Sequence, residues 1–181
     1  MSKQKIMLLS LIALFAVIYG IQLVTSGTNS VKTITVEQEI DAIKVTLADS
    51  SNYVLTKKMA ETDDESVWII DNGSLAKSGS ADSMKNQLEE IKVVSKISDI
   101  ANANLYDLQS GKSILVEAMS DGAVVRTIRI GKLTDTMSQT YVEIDNDGSI
   151  VLISGDLQSI FDKTIQDIEY SEVVETTEKG V

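Results

Sequence analysis

The sequence predicts an α+β fold: an antiparallel meander of β-hairpins with two amphipathic helices packed on the sheet, preceded by one N-terminal transmembrane helix. Three observations predict it. Short segments alternate apolar and polar residues between turn clusters, two other stretches carry apolar residues every three or four positions, and residues 6–24 (IMLLSLIALFAVIYGIQLV) form a nearly unbroken apolar run.

The run comes first. A bilayer core needs about 20 mostly apolar residues as helix; Ile6, Leu9, Leu11, Leu14, Phe15, Ile18, Ile21 and Leu23 would face lipid or a neighbouring helix. Lys3 and Lys5 make residues 1–5 a basic cytoplasmic stub, and no acidic residue precedes Glu37, so the N-terminus stays inside and the remainder is extracytoplasmic, in the periplasm or at the cell surface. A signal peptide cleaved near Thr25, Ser26 or Gly27 is the competing reading, although no A-x-A-like triplet stands there. Ala16 and Gly20 have the small-xxx-small spacing that lets two spans approach.

Residues 25–32 read as a polar linker, 33–170 as the folded domain and 171–181 as an acidic tail. Ile40, Ile43, Val45 and Leu47, then Val54 and Leu55, then Val67–Ile70 predict short strands; Trp68 is expected inside with its indole N–H bonded. Ala81, Met84, Leu88, Ile91 and Val94 switch to helical spacing, with Ser80 or Asp82 as the cap. Ser98–Gly111 is an irregular connector with room for a helical turn. The strand pairs 113–119/124–130 and 141–144/150–153 flank Asp121-Gly122 and Asn146-Asp147-Gly148, strong hairpin signals because type I′ turns require positive φ. Leu157, Ile160, Phe161, Ile165 and Ile168 mark a second helix, with Ser154 or Asp156 near its start. Residues 33–97 and 98–170 thus resemble two strands-then-helix halves.

Composition removes much chemistry. All 27 acidic residues but only 14 of the 16 basic ones follow residue 24, which repels nucleic acid and anionic headgroups. The chain has no His, Cys or Pro: there is no Ser-His-Asp arrangement, thiolate, disulfide or ordinary zinc site, and no cofactor is implied. Ser74-Leu75-Ala76-Lys77 matches S-x-x-K but sits in a Gly/Ser-rich loop, and Gly111-Lys112-Ser113 lacks the first glycine of a phosphate loop and leads into a strand. Asp145 and Asp147, with Asp156 farther on, are the best metal-like string, yet Ile150 stands where a calcium loop needs glycine, so a hairpin turn is the better reading. A histidine-free hydrolase would need two carboxylates at a catalytic separation, which sequence does not place.

The order of VWII (67–70), the Ala81–Ile91 helix, DGAVVRTIRIGK (121–132), TYVEI (140–144), IVLIS (150–154) and LQSIFDKTIQDI (157–168) resembles the membrane-anchored domain-of-unknown-function family 4340 over nearly the whole chain. The match is weakest at the connector, where Tyr106-Asp107-Leu108-Gln109 replaces a Y-G-L-D-x-P-like segment. The resemblance implies an extracytoplasmic α+β domain often associated with gliding-motility-type ABC transporter components, and carries over no catalytic residue.

The expected function is therefore that of a non-catalytic, membrane-anchored accessory or scaffold domain of an ABC-type envelope complex, with integral-membrane or envelope proteins as partners. A tethered ligand-binding module for a cation, peptide or glycan is the alternative, and a carboxylate hydrolase a further one. Asn102, Asn104, Tyr106 and Asp107 on the connector are the expected interaction surface, since irregular segments on rigid scaffolds carry recognition.

Overall fold

The computed structural model describes residues 12, 14–17, 31–59 and 66–171. Residues 31–181 group as one unit. Its strands are β1 (Lys32–Thr35), β2 (Ala42–Thr46), β3 (Asn52–Met59), β4 (Ser66–Ile70), β5 (Glu90–Asp99), β6 (Ile114–Ser120), β7 (Ala123–Leu133), β8 (Gln139–Ile144) and β9 (Ser149–Ser154). The helices are α1 (Ser78–Glu89), α2 (Leu157–Phe161) and α3 (Ile165–Ile168), with a 3-10 segment at Ile100–Leu105.

All nine strands join one sheet in the order β1-β5-β9-β8-β7-β6-β2-β3-β4, each neighbouring pair antiparallel. Alternation sets its two faces. Ile43 and Val45, Tyr53 and Leu55, Trp68 and Ile70, Val116 and Ala118, Ile128 and Ile130, and Val142 point to one side and are buried with the helices. α1 sets Ala81, Met84 and Leu88 into that core, and α2 adds Leu157 and Phe161. Each such fully buried large aliphatic or aromatic side chain contributes roughly 1.5–3 kcal/mol of transfer energy. As expected, Trp68 lies inside, and its Nε1–H donates to Asp82 Oδ1 at 2.9 Å.

The predicted α+β class does not hold. Of the described residues 46% are strand and 23% helix, and apart from α1 the helices of this unit are single turns, so the domain is a large antiparallel sheet with helical cover rather than a meander bearing two amphipathic helices. The first predicted helix stops at Glu89: Glu90 is already extended (φ −131°, ψ 111°), and Ile91 and Val94 belong to β5. Leu88 and Ile91 share helical spacing by coincidence; the β-branched Ile91-Lys92-Val93-Val94 run favours strand, and Ile91 is buried from there. The second predicted helix breaks at Asp162–Thr164, because Thr164 starts a new turn: Asp167 Oδ2 accepts from both Thr164 N–H (2.8 Å) and Thr164 Oγ1–H (2.7 Å). Asp156, not Ser154, caps α2, accepting from Ser159 N–H at 3.0 Å. The cap predicted for α1 is also displaced, to Lys77, without a side-chain bond.

The predicted transmembrane helix is likewise not supported: among the described residues no helix is long and apolar enough to cross a membrane. Of residues 6–24 the structure describes Ile12 and residues 14–17, all of them helical and Leu14 and Phe15 among them. Ile6, Leu9, Leu11, Ile18, Ile21 and Leu23 lie outside the described residues, as does the predicted acidic tail after Ser171.

The two sequence halves share the sheet. β2 pairs with β6, and β5, which itself runs across the expected boundary at residue 97, pairs with β9.

Candidate functional site

Hairpin chemistry accounts for the metal-like string. Asp145 and Asn146 both take positive φ (52° each), and Asp147 N–H donates to the Ile144 carbonyl at 3.1 Å, a type I′ turn one residue earlier than the Asn-Asp-Gly string suggests. The carboxylates are engaged by local partners. Asp145 Oδ1 accepts from Thr127 N–H (2.8 Å), and Asp147 accepts from the backbone N–H and hydroxyl of Ser149 (2.8 Å each to Oδ1). Asp156 lies beyond the other end of β9, a strand length of about 20 Å away. The three acids are not brought together, and no cluster of three acidic residues with metal-site spacing occurs among the described residues.

Asp145 also faces a residue that sequence reading missed. Arg126 follows the inward alternation of β7 and is 3% exposed, with Nε 3.3 Å from Asp145 Oδ2. Among the described residues its Nε and Nη1 make no aligned hydrogen bond. Burial pulls the guanidinium below its ordinary pKa, and Asp145 opposes that shift. An arginine occupying an apolar register position (Arg126, Ile128, Ile130) was the available signal.

The connector is fastened across the other face of the sheet. Leu108 is 2% exposed and Ile150 fully buried, both outside the helix-side core. Tyr106 packs on Tyr141 with ring centroids 4.7 Å apart, and Lys132 N–H donates to the Tyr106 carbonyl at 3.0 Å. Gly131 makes this approach possible: a Cβ there would lie 2.1 Å from the Tyr106 carbonyl oxygen and 3.0 Å from Leu108. Of the expected surface residues, Asn102 and Asn104 are exposed, and so is Leu105 between Asn104 and Tyr106. Tyr106 is half-buried as an anchor, and Asp107 adopts φ 56° with its Oδ1 3.2 Å from Lys112 Nζ. The connector therefore divides into seated residues and presented ones.

The S-x-x-K and Gly-Lys-Ser strings serve turns. Lys77 Nζ donates to the Asp167 carbonyl (2.9 Å), and Ser113 Oγ donates to the Gln109 carbonyl (3.0 Å).

Two concavities fall where sequence reading placed nothing. A cleft of about 530 Å³ opens between α1 and the adjoining ends of β5 and β9, lined by Ser83, Asn86, Gln87, Glu90, Lys92 and Ser154. Every described side chain that lines it is polar, because α1 turns its apolar stripe to the sheet. A smaller one, about 300 Å³, lies where the β2–β3 turn meets α3, beside Tyr53. Tyr53 is 2% exposed and, among the described residues, its hydroxyl has no hydrogen-bond partner. Burial, reinforced by Asp162 and Asp167, pushes its pKa far above the ordinary tyrosine value.

Comparison of the chain with family models, with curated proteins and with solved structures finds no match.

Proposed function

We propose that this chain is a non-catalytic, extracytoplasmic accessory domain of an ABC-transporter-type envelope complex, engaging its partner through the connector. The mounting of that connector is the observation that carries the reading. Asn102, Asn104 and Leu105 stand on a segment whose next residues are locked by Leu108, Tyr106 and Gly131, so presenting them costs little ordering on binding. The family resemblance supplies the class of partner.

The test is site-specific photocrosslinking in intact cells from position 102, 104 or 105, with Lys58, an exposed residue of β3, as the comparison position. Adducts to an integral-membrane transporter subunit from the connector and not from position 58 are expected. Absence of that adduct from all three connector positions, or recovery of the protein in the soluble cytoplasmic fraction, would overturn the reading.

The polar cleft between α1, β5 and β9 favours a second reading, a ligand-binding module.

A further inference from the structure

Resting on that second reading, we infer that the α1–β5–β9 cleft binds a neutral, hydroxyl-rich ligand, a short segment of an uncharged glycan. Its volume of about 530 Å³ lies within the range of small-molecule sites. The lining then selects the chemistry by elimination and by match.

Purely apolar ligands are disfavoured there. The described lining offers methylene stems of Gln87, Glu90 and Lys92 but no aromatic or branched aliphatic wall, while the apolar residues of α1 (Ala81, Met84 and Leu88) are turned into the core. Charged ligands fare little better. Glu90 Oε1 lies 3.2 Å from Lys92 Nζ, so the two charges of the cleft answer each other, and a cation would find a single carboxylate where calcium takes six to eight oxygens.

What remains is a set of groups that both donate and accept. The carboxamides of Asn86 and Gln87 each offer an adjacent C=O and NH₂, the pair that matches two vicinal hydroxyls, and neither is engaged by a hydrogen bond to another described residue. Ser83 Oγ donates to the Gly79 carbonyl at 2.6 Å, which fixes its rotor and leaves its lone pairs for a ligand hydroxyl. Ser154 closes the opposite wall. Asn86 and Glu90 also line an adjoining depression of about 360 Å³ with Thr35, Val36 and Glu89, giving a chain-like ligand room to continue past the first sugar. Recognition by hydrogen bonds alone, without ring stacking, sets the expected Kd at about 1 mM.

The test uses the full chain in a detergent without a sugar headgroup, isotope-labelled, and titrated with cellobiose, maltotriose and N,N′-diacetylchitobiose, with calcium chloride and trialanine as parallel arms. Millimolar saturation is expected from at least one saccharide, with amide shifts confined to residues 83–92 and 153–155, and at least tenfold weakening in Asn86→Ala/Gln87→Ala. Both side chains lie on the outer surface of α1, and the variant's amide spectrum away from the cleft reports that it is folded. No shift with any saccharide, or saccharide shifts mapping to the connector, overturns the glycan assignment. Binding of calcium or trialanine alone overturns it too but leaves the module reading standing, whereas silence in every arm removes both.

Discussion

The two faces of the sheet are covered by different physics. On the helix side, α1, α2 and α3 lay apolar stripes over alternating Ile, Val, Leu and Trp side chains, and the burial is broad and redundant. On the opposite side the connector covers only part of the sheet, held by one leucine, one tyrosine pair and a glycine that lets backbone lie against backbone. Elsewhere that face carries cross-strand ion pairs: Lys44–Glu117 (3.0 Å), partly in solvent and worth little, and Arg129–Glu143 (3.4 Å), whose carboxylate is buried. The contrast teaches that area holds the domain together while a few close contacts hold its presented segment. A fold arranged this way can vary its recognition surface without endangering its core.

The largest effect should separate the faces directly. Leu88→Ala removes a fully buried side chain from the helix side and should lower the unfolding free energy by about 3–4 kcal/mol without changing where exchange begins. Gly131→Ala forces a methyl into the Tyr106 carbonyl and should cost about 3 kcal/mol, but with a different signature. Amide hydrogen exchange at residues 103–108 should rise well before the sheet opens. If both variants lose protection uniformly, the connector is an integral part of the core and the comparison fails.

A middle effect probes the charge inside the apolar face. Asp145→Asn keeps the turn shape but leaves Arg126 buried without its counter-charge, and should cost about 1–2 kcal/mol, discounted because Asp145 is half-exposed. Arg126→Met removes the charge together with its desolvation and should be neutral or stabilising in urea denaturation. A large loss in Arg126→Met would mean that its N–H groups have partners, such as bridging water, that sustain the turn region.

The smallest effect concerns Tyr53. Its folded pKa is raised, first by burial and then by Asp162 and Asp167, so its contribution is complete below the unfolded tyrosine pKa of about 10 and is lost as pH rises above it. Tyr53→Phe should leave neutral-pH stability nearly unchanged, since the hydroxyl has no partner among the described residues, and should flatten the alkaline limb of a stability-against-pH profile. An unaltered alkaline limb would place the titration elsewhere.

Much of the helix-covered face was legible. Trp68, Ile43, Val45, Ile128 and Ile130 declare themselves by alternation, and Asp121-Gly122 (φ 50° and 77°) by turn chemistry. β5 was not: Ile91 continues the helical period of Ala81, Met84 and Leu88 and equally fits an inward strand position, so the local preference of its β-branched neighbours for strand was settled by the pairing of β5 with β9 and β1. The break at Thr164 was written as Thr-Ile-Gln-Asp, a capping box hidden within an otherwise helical spacing. Arg126 offered only its place in an apolar register, and Gly131 no local signal at all, because burial of an arginine and close approach of a carbonyl depend on what the chain brings back from far away.

Local chemistry thus determined the turns, the alternating strands, the apolar stripe of α1, the acidic balance and the absence of histidine and cysteine. Tertiary structure decided the strand order, the single sheet shared by both halves, the seat of the connector and the polar cleft. The division has one cause: side-chain period and turn geometry act over a few residues, whereas register between distant strands and the shape of a cleft are set by which surfaces bury each other.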